Sequence, residues 1–187
     1  MPGPSIRASF FHSNLKALAA LGPEAARRVL ARMPPEVLQE VESAARIAWL
    51  PLEHDLAITD AIEAELGRDA LRRWARDGVL RAGDTPLLSP LIRSARAIFG
   101  MTPHAFLRRA PLAWTLLFRE CGRLEYGARG ERSARIELYD APAVLLASQA
   151  YLEGMSAGLE AAIDLAGEAG RVRVERNERE TAFSADW

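Results

Sequence analysis

The sequence predicts an α+β fold: a helical N-terminal layer packed on a four-stranded antiparallel sheet, with one long helix crossing that sheet. Three observations predict it. Up to residue 120 the apolar residues recur at helical spacing between prolines and glycines placed where helices start and stop. From Cys121 onward the period falls to two in four short stretches. A single helical stretch, Ser148 to Gly167, separates the first pair of those stretches from the second. The 187 residues are read as one domain, with residues 1–120 as its helical part and 121–187 as hairpin, helix, hairpin.

Within the helical part, Pro23, Pro35, Pro86 and Pro103 each suit a first helical position, where the missing N–H costs nothing. Leu15, Leu18 and Leu21 before Gly22 predict a first helix from about Ser9, and Val29, Leu30 and Met33 stripe a short second one. After Pro34-Pro35 a third helix is expected through Val37, Leu38, Val41, Ala45 and Ile47 until Pro51, with Trp49 and Leu50 anchoring the bend. The fourth spans Leu52 to Leu66 on Leu56, Ile58 and Ile62; Asp69 then caps a short helix that buries Leu71 and Trp74. The widest apolar stripe, Leu87 to Phe99 after Thr85-Pro86, predicts a central helix closing at Gly100. Thr102-Pro103 repeats the start signal for a helix through Phe106, Leu107, Trp114, Leu117 and Phe118, bent by Pro111.

Four strands follow. Leu124, Tyr126 and Ala128 alternate with Arg123, Glu125 and Arg129 over Arg123 to Arg129, and Ile136 and Leu138 with Arg135 and Glu137 over Arg135 to Asp140. Val172 and Val174 repeat the pattern over Arg171 to Arg176, and after a turn near Asn177 the last strand runs from Thr181 to Trp187. The helix between the hairpins, striped by Tyr151, Leu152, Met155, Leu159 and Ile163, is suited to the inner face. The outer face then carries Arg123, Glu125, Arg135, Glu137, Arg171, Arg173 and Glu175. That face is either a solvated surface with cross-strand ion pairs or a docking surface on which Arg135 and Arg173 meet an anionic partner.

Composition narrows the function. The hydrophobic fraction of 49% and charged fraction of 26% belong to a globular chain able to bury a core. A net charge of −1 supplies no field to gather nucleic acid. No stretch approaches about 18 apolar residues, and Met1-Pro2-Gly3-Pro4 lacks a secretory pattern, so neither a membrane span nor export is expected and the cytoplasm is the expected setting. One cysteine, Cys121, excludes a disulfide framework and a multi-thiolate zinc site.

Catalytic signatures are missing. The three histidines, His12, His54 and His104, fall in no metal-ligand spacing, and no nucleophile elbow, phosphate loop or dinucleotide fingerprint occurs. Glu53-His54-Asp55 does not converge, because neighbours on a helix point about 100° apart; it is expected to be a polar first turn favoured by the helix dipole. Neither a catalytic residue nor a metal site is assigned.

The order of elements carries a resemblance. Leu87 to Arg109, Trp114 to Gly122 and Leu159 to Gly167 resemble an uncharacterised bacterial family known chiefly from myxobacteria. More remotely, the helical front followed by two hairpins around one helix is similar to the superfamily of heme nitric-oxide-binding domains, 4-vinyl-reductase domains and TRAPP vesicle-tethering subunits. That resemblance implies a cavity between helices and sheet, in proteins that sense a ligand or pair with another subunit. Its heme-binding members imply a histidine on a helix before the sheet and a Tyr-x-Ser-x-Arg clamp on a strand. His104 and Tyr126 answer the first residue of each, but Ala128 and Gly130 stand at the serine and arginine positions, with Arg129 one residue out of register.

The expectation is therefore a non-catalytic binding or regulatory module, a small-ligand sensor acting through a protein partner or a homodimer. His104, Trp114, Phe118 and Tyr126 are its pocket candidates, and Arg135 and Arg173 its partner-surface candidates. A small apolar ligand is expected and no cofactor, with a heme gas sensor the less favoured reading. A structural adaptor that dimerises is the alternative.

Overall fold

The computed structural model describes residues 3–83, 85, 87, 89–90, 92–93, 102–176 and 181–187. A three-residue strand, β1 (Ser5–Arg7), runs straight into α1 (Ala8–Ala20). α2 (Pro23–Leu30) and α3 (Pro35–Ser43) start on the marked prolines and bury Val29 and Val41. β2 (Trp49–Pro51) leads into α4 (Leu52–Leu66), and α5 (Arg68–Gly83) follows. α6 (Pro103–Leu107) is capped by Thr102, whose side chain accepts from the Ala105 amide at 3.2 Å. α7 (Ala110–Leu117) and β3 (Phe118–Arg119) complete the helical part. Then come β4 (Arg123–Gly130), β5 (Ser133–Tyr139), α8 (Ala143–Ala147), α9 (Gln149–Asp164), β6 (Arg171–Arg176) and β7 (Thr181–Asp186).

The α+β class and the four-stranded antiparallel sheet stand as expected. Several boundaries differ, each for a local reason. α3 stops at Ser43, and Trp49 to Pro51 form a strand where a bend was expected, because β1 pairs with them (Ile6 opposite Leu50). β3 pairs on the other side of β1, giving a second, three-stranded sheet in the order β2-β1-β3. α5 is longer than expected, since its polar second half still packs Val79 and Ala82 inward. Pro111 divides two helices and sits in the first turn of α7, where a proline is tolerated. The turn near Asn177, Pro86 and most of the helix expected from Thr85 to Gly100 lie outside the described residues.

The larger sheet has the order β4-β5-β7-β6, every neighbour antiparallel. Its inner columns, Tyr126–Ile136–Phe183–Val174 and Leu124–Leu138–Thr181, face α9. Leu152, Leu159 and Ile163 of α9 join Ile136, Phe183 and Val172 in one core. A second core forms among the helices around Ile6, Phe11, Leu18, Ile58, Ile62, Leu71 and Trp74. α9 is tied to α5 by Arg72, whose guanidinium meets Glu153 and Glu160, the latter at 2.6 Å. On the outer face Arg135 pairs with Glu137 at 3.1 Å and with Glu175, while Arg173 meets Asp186 at 3.1 Å. The expected cross-strand pairing of opposite charges is thus present on that face.

Candidate functional site

Between the two cores lies a cavity of about 200 Å³, walled by α1, α4, α5, α7 and α9 and floored by Leu124 of β4. For scale, an engineered apolar cavity of ~150 Å³ holds benzene. Helical spacing explains the wall. Phe106, Ala110, Ala113 and Leu117 recur along one side of α6 and α7, and Tyr151, Met155, Leu159 and Ala162 along one side of α9. Gly154 and Gly158 leave room beside α5, where a Cβ on Gly158 would stand 3.0 Å from Val79.

One corner of this apolar cavity is polar. Asp55 of α4 is 2% exposed; Asn14 of α1 donates to its Oδ1 at 3.0 Å and the Tyr151 hydroxyl of α9 donates to its Oδ2 at 3.0 Å. Thr59 donates back to the Asp55 carbonyl at 2.6 Å, and the Trp74 indole N–H donates to the Asn14 carbonyl at 2.8 Å. Burial lifts the Asp55 pKa to about 6, against the opposing pull of the Tyr151 and Asn14 hydrogen bonds. Burial first, and then the neighbouring Asp55 charge, hold Tyr151 well above the ordinary tyrosine value, so its hydroxyl stays a donor.

The predicted site residues divide into two groups. Trp114 and Phe118 line the cavity, their rings stacked with centroids 3.8 Å apart, and the Trp114 indole donates to the Gly122 carbonyl at 3.1 Å. His104 and Tyr126 are bonded to each other outside the lining. The His104 Nε2 faces the carbonyls of Gly130 and Glu131 at 3.1 and 3.0 Å, so it carries the proton and Nδ1 accepts from the Tyr126 hydroxyl. Trp187 meets the His104 ring edge-on at 4.7 Å. The imidazole therefore pins α6 to the β4–β5 turn and the end of β7. Arg135 and Arg173 sit on the opposite face of the sheet, in the ion pairs described above.

Asp55 is a site residue that the sequence pattern hides. Read as part of Glu53-His54-Asp55 it is a polar first turn, and His54 does turn away from it, to Glu40 at 2.8 Å. The signal was its phase: Leu52, Asp55, Thr59 and Ile62 share the buried stripe of α4. Cys121 is buried and donates to the Arg119 carbonyl at 3.2 Å; burial raises its thiol pKa to about 11, which makes it inert as a nucleophile. Among the described residues no three His, Cys, Asp or Glu side chains gather as metal ligands, and no helix is long and apolar enough to cross a membrane.

This arrangement of helices over a two-hairpin sheet is similar in fold to the H-NOX domains. A protein solved in a study of heme distortion in the H-NOX family matches with a TM-score of 0.66 at 13% identity, over 97% of this chain and 94% of its own. An oxygen-binding H-NOX domain related to soluble guanylate cyclases matches at 0.61 and 12%, over 96% and 92%. The Fe(II) unliganded H-NOX protein from K. algicida matches at 0.60 and 11%, over 96% and 95%. No family model matches, nor does any curated protein by sequence, so the resemblance to a myxobacterial family gains no support, and the remoter one holds for the fold of its heme nitric-oxide-binding members.

These neighbours correct the expectation that no cofactor is involved, because heme is the group this fold implies. The residues present do not fit a heme held by histidine and clamp. His104 points to the β4–β5 turn, and Phe106, about 200° further round α6, takes the cavity side. No histidine or cysteine lines the cavity among the described residues. No tyrosine completes the clamp: Tyr126 is followed at the two positions by Ala128 and Gly130, Tyr139 by Ala141 and Ala143, and Tyr151 by Glu153 and Met155.

Proposed function

We propose that this protein is a non-catalytic sensor module that takes a ligand into the cavity between helices and sheet and acts through a protein partner, in a cytoplasmic setting. The observation that carries the reading is that cavity, set in the H-NOX fold along nearly the whole chain. Heme is the ligand that the neighbours supply. The absence of a histidine from the described lining favours a second reading, a smaller apolar molecule of the size that about 200 Å³ admits.

Trp74 and Trp114 in the wall report on either ligand. Hemin and 2-phenylethanol are titrated separately, by absorbance and tryptophan fluorescence, into wild type and into Ala113→Leu, which fills the cavity from α7. Saturable 1:1 binding of one of them, weakened at least tenfold by Ala113→Leu, is the expected result and decides between heme and the smaller ligand. Neither binding would overturn the reading.

The partner surface is assigned to the outer sheet face around Arg135 and Arg173. It presents a mosaic of both signs in place of a positive field, since both arginines are paired across strands. Sedimentation velocity of the double variant Arg135→Ala/Arg173→Ala tests whether a second copy docks there. A wild-type dimer weakened in the variant is expected; two identical monomers would remove homodimerisation at this face.

A further inference from the structure

We infer that the ligand of this cavity is an apolar molecule carrying one protonated amine, and that Asp55 reads that amine; the inference rests on the cavity being the sensing site. Most donors of the cavity's polar corner are spent on the protein: Tyr151 O–H and one Asn14 amide hydrogen go to the Asp55 carboxylate, Thr59 O–H to the Asp55 carbonyl, and Trp74 N–H to the Asn14 carbonyl, which leaves the second Asn14 amide hydrogen. A carboxylate offers about four acceptor positions, and two are filled here. Against that one remaining N–H, the corner offers a ligand two open acceptor positions on the Asp55 carboxylate, a group that a donor satisfies best.

Charge points the same way. Asp55 is buried beside two neutral donors, and no cationic side chain pairs with it among the described residues. A carboxylate removed from water without a counter-ion is costly, and an ammonium brought in by the ligand removes that cost. The titratable groups nearest to it, Tyr151 and Cys121, are both held protonated by burial and add no positive charge. Asp55 itself, with its pKa near 6, is ionised at pH 8. Arg109 is the other charged residue in the described lining, on the α6–α7 side of the cavity, and would favour an acid instead. The remaining walls are apolar, so the ligand's body is hydrocarbon or aromatic.

Four probes of matched size decide it at pH 8: 2-phenylethylamine, 2-phenylethanol, ethylbenzene and 3-phenylpropionate, measured by calorimetry and tryptophan fluorescence on the full chain. The amine is expected to bind at least tenfold more tightly than ethylbenzene or the acid, with the alcohol between. Asp55→Asn should shrink that preference to within about threefold. Tyr151→Phe, which removes a donor from Asp55 and leaves the carboxylate, should keep the amine preference. Equal affinity for the four probes overturns the inference and leaves the sensing cavity standing. Preference for the acid also overturns it and moves recognition to Arg109. Binding of none of the four overturns the inference together with the reading beneath it.

Discussion

Asp55 shows how one residue's phase on a helix decides its chemistry. Glu53, two positions earlier, stays in solvent, whereas Asp55 turns into the stripe shared with Leu52, Thr59 and Ile62 and is buried. Its folded pKa of about 6 lies above the ordinary 3.8, so the neutral acid is favoured by folding. The stability this provides is full below about pH 4 and is lost as pH rises through 6, on the order of 3 kcal/mol in all. Urea unfolding of wild type and Asp55→Asn at pH 4 and pH 7 should show wild type losing about that much relative to the variant. Gly78 guards the same corner: a Cβ there would lie 2.6 Å from Asn14 Oδ1, so Gly78→Ala should push Asn14 off Asp55 and raise the Asp55 pKa further, read by carboxyl NMR titration. His104 holds structure and not the cavity, so His104→Ala should cost about 1–2 kcal/mol by urea midpoint and leave ligand affinity unchanged.

Elements with many residues in phase were readable from the sequence, and those with few were not. α9 and the four long strands carry enough alternating positions for their period to be counted, and the prolines opening α2, α3 and α6 fix where those helices begin. β1, β2 and β3 have three, three and two residues, too few to show any period. They exist because they pair with one another across more than forty residues of chain, which no local pattern records. Of the site, Trp114 and Phe118 were legible as apolar positions, but the turning away of His104 depends on which side of a five-residue helix meets the β4–β5 turn. The junction between α7 and β4 hinges on Gly122, at φ +83°, where a Cβ would collide with the Tyr139 carbonyl and with Ala141 N at 2.9 Å. Gly122→Ala should therefore destabilise by about 1–3 kcal/mol in thermal or urea unfolding. Trp114→Ala, which removes the stacked ring over Phe118, should cost about 3–5 kcal/mol.

At the scale of the molecule, the cavity separates two packed cores, so filling it binds the two layers together. A ligand present at 100 times its Kd adds about 2.7 kcal/mol, which for a chain of this length raises Tm by roughly 5–10 °C. Differential scanning fluorimetry with the tightest probe should show that rise in wild type and lose most of it in Ala113→Leu. The strand order has a separate consequence, for biosynthesis. β7 lies inside the larger sheet, between β5 and β6, although it is made after the other three strands of that sheet. Until residues 181–186 emerge, β5 and β6 cannot be bridged and Ile136 and Val174 wait without Phe183 between them. Closure of this sheet is thus a late event, and a nascent chain stalled before Thr181 should remain sensitive to protease in its strand half, long after its first helices have been made.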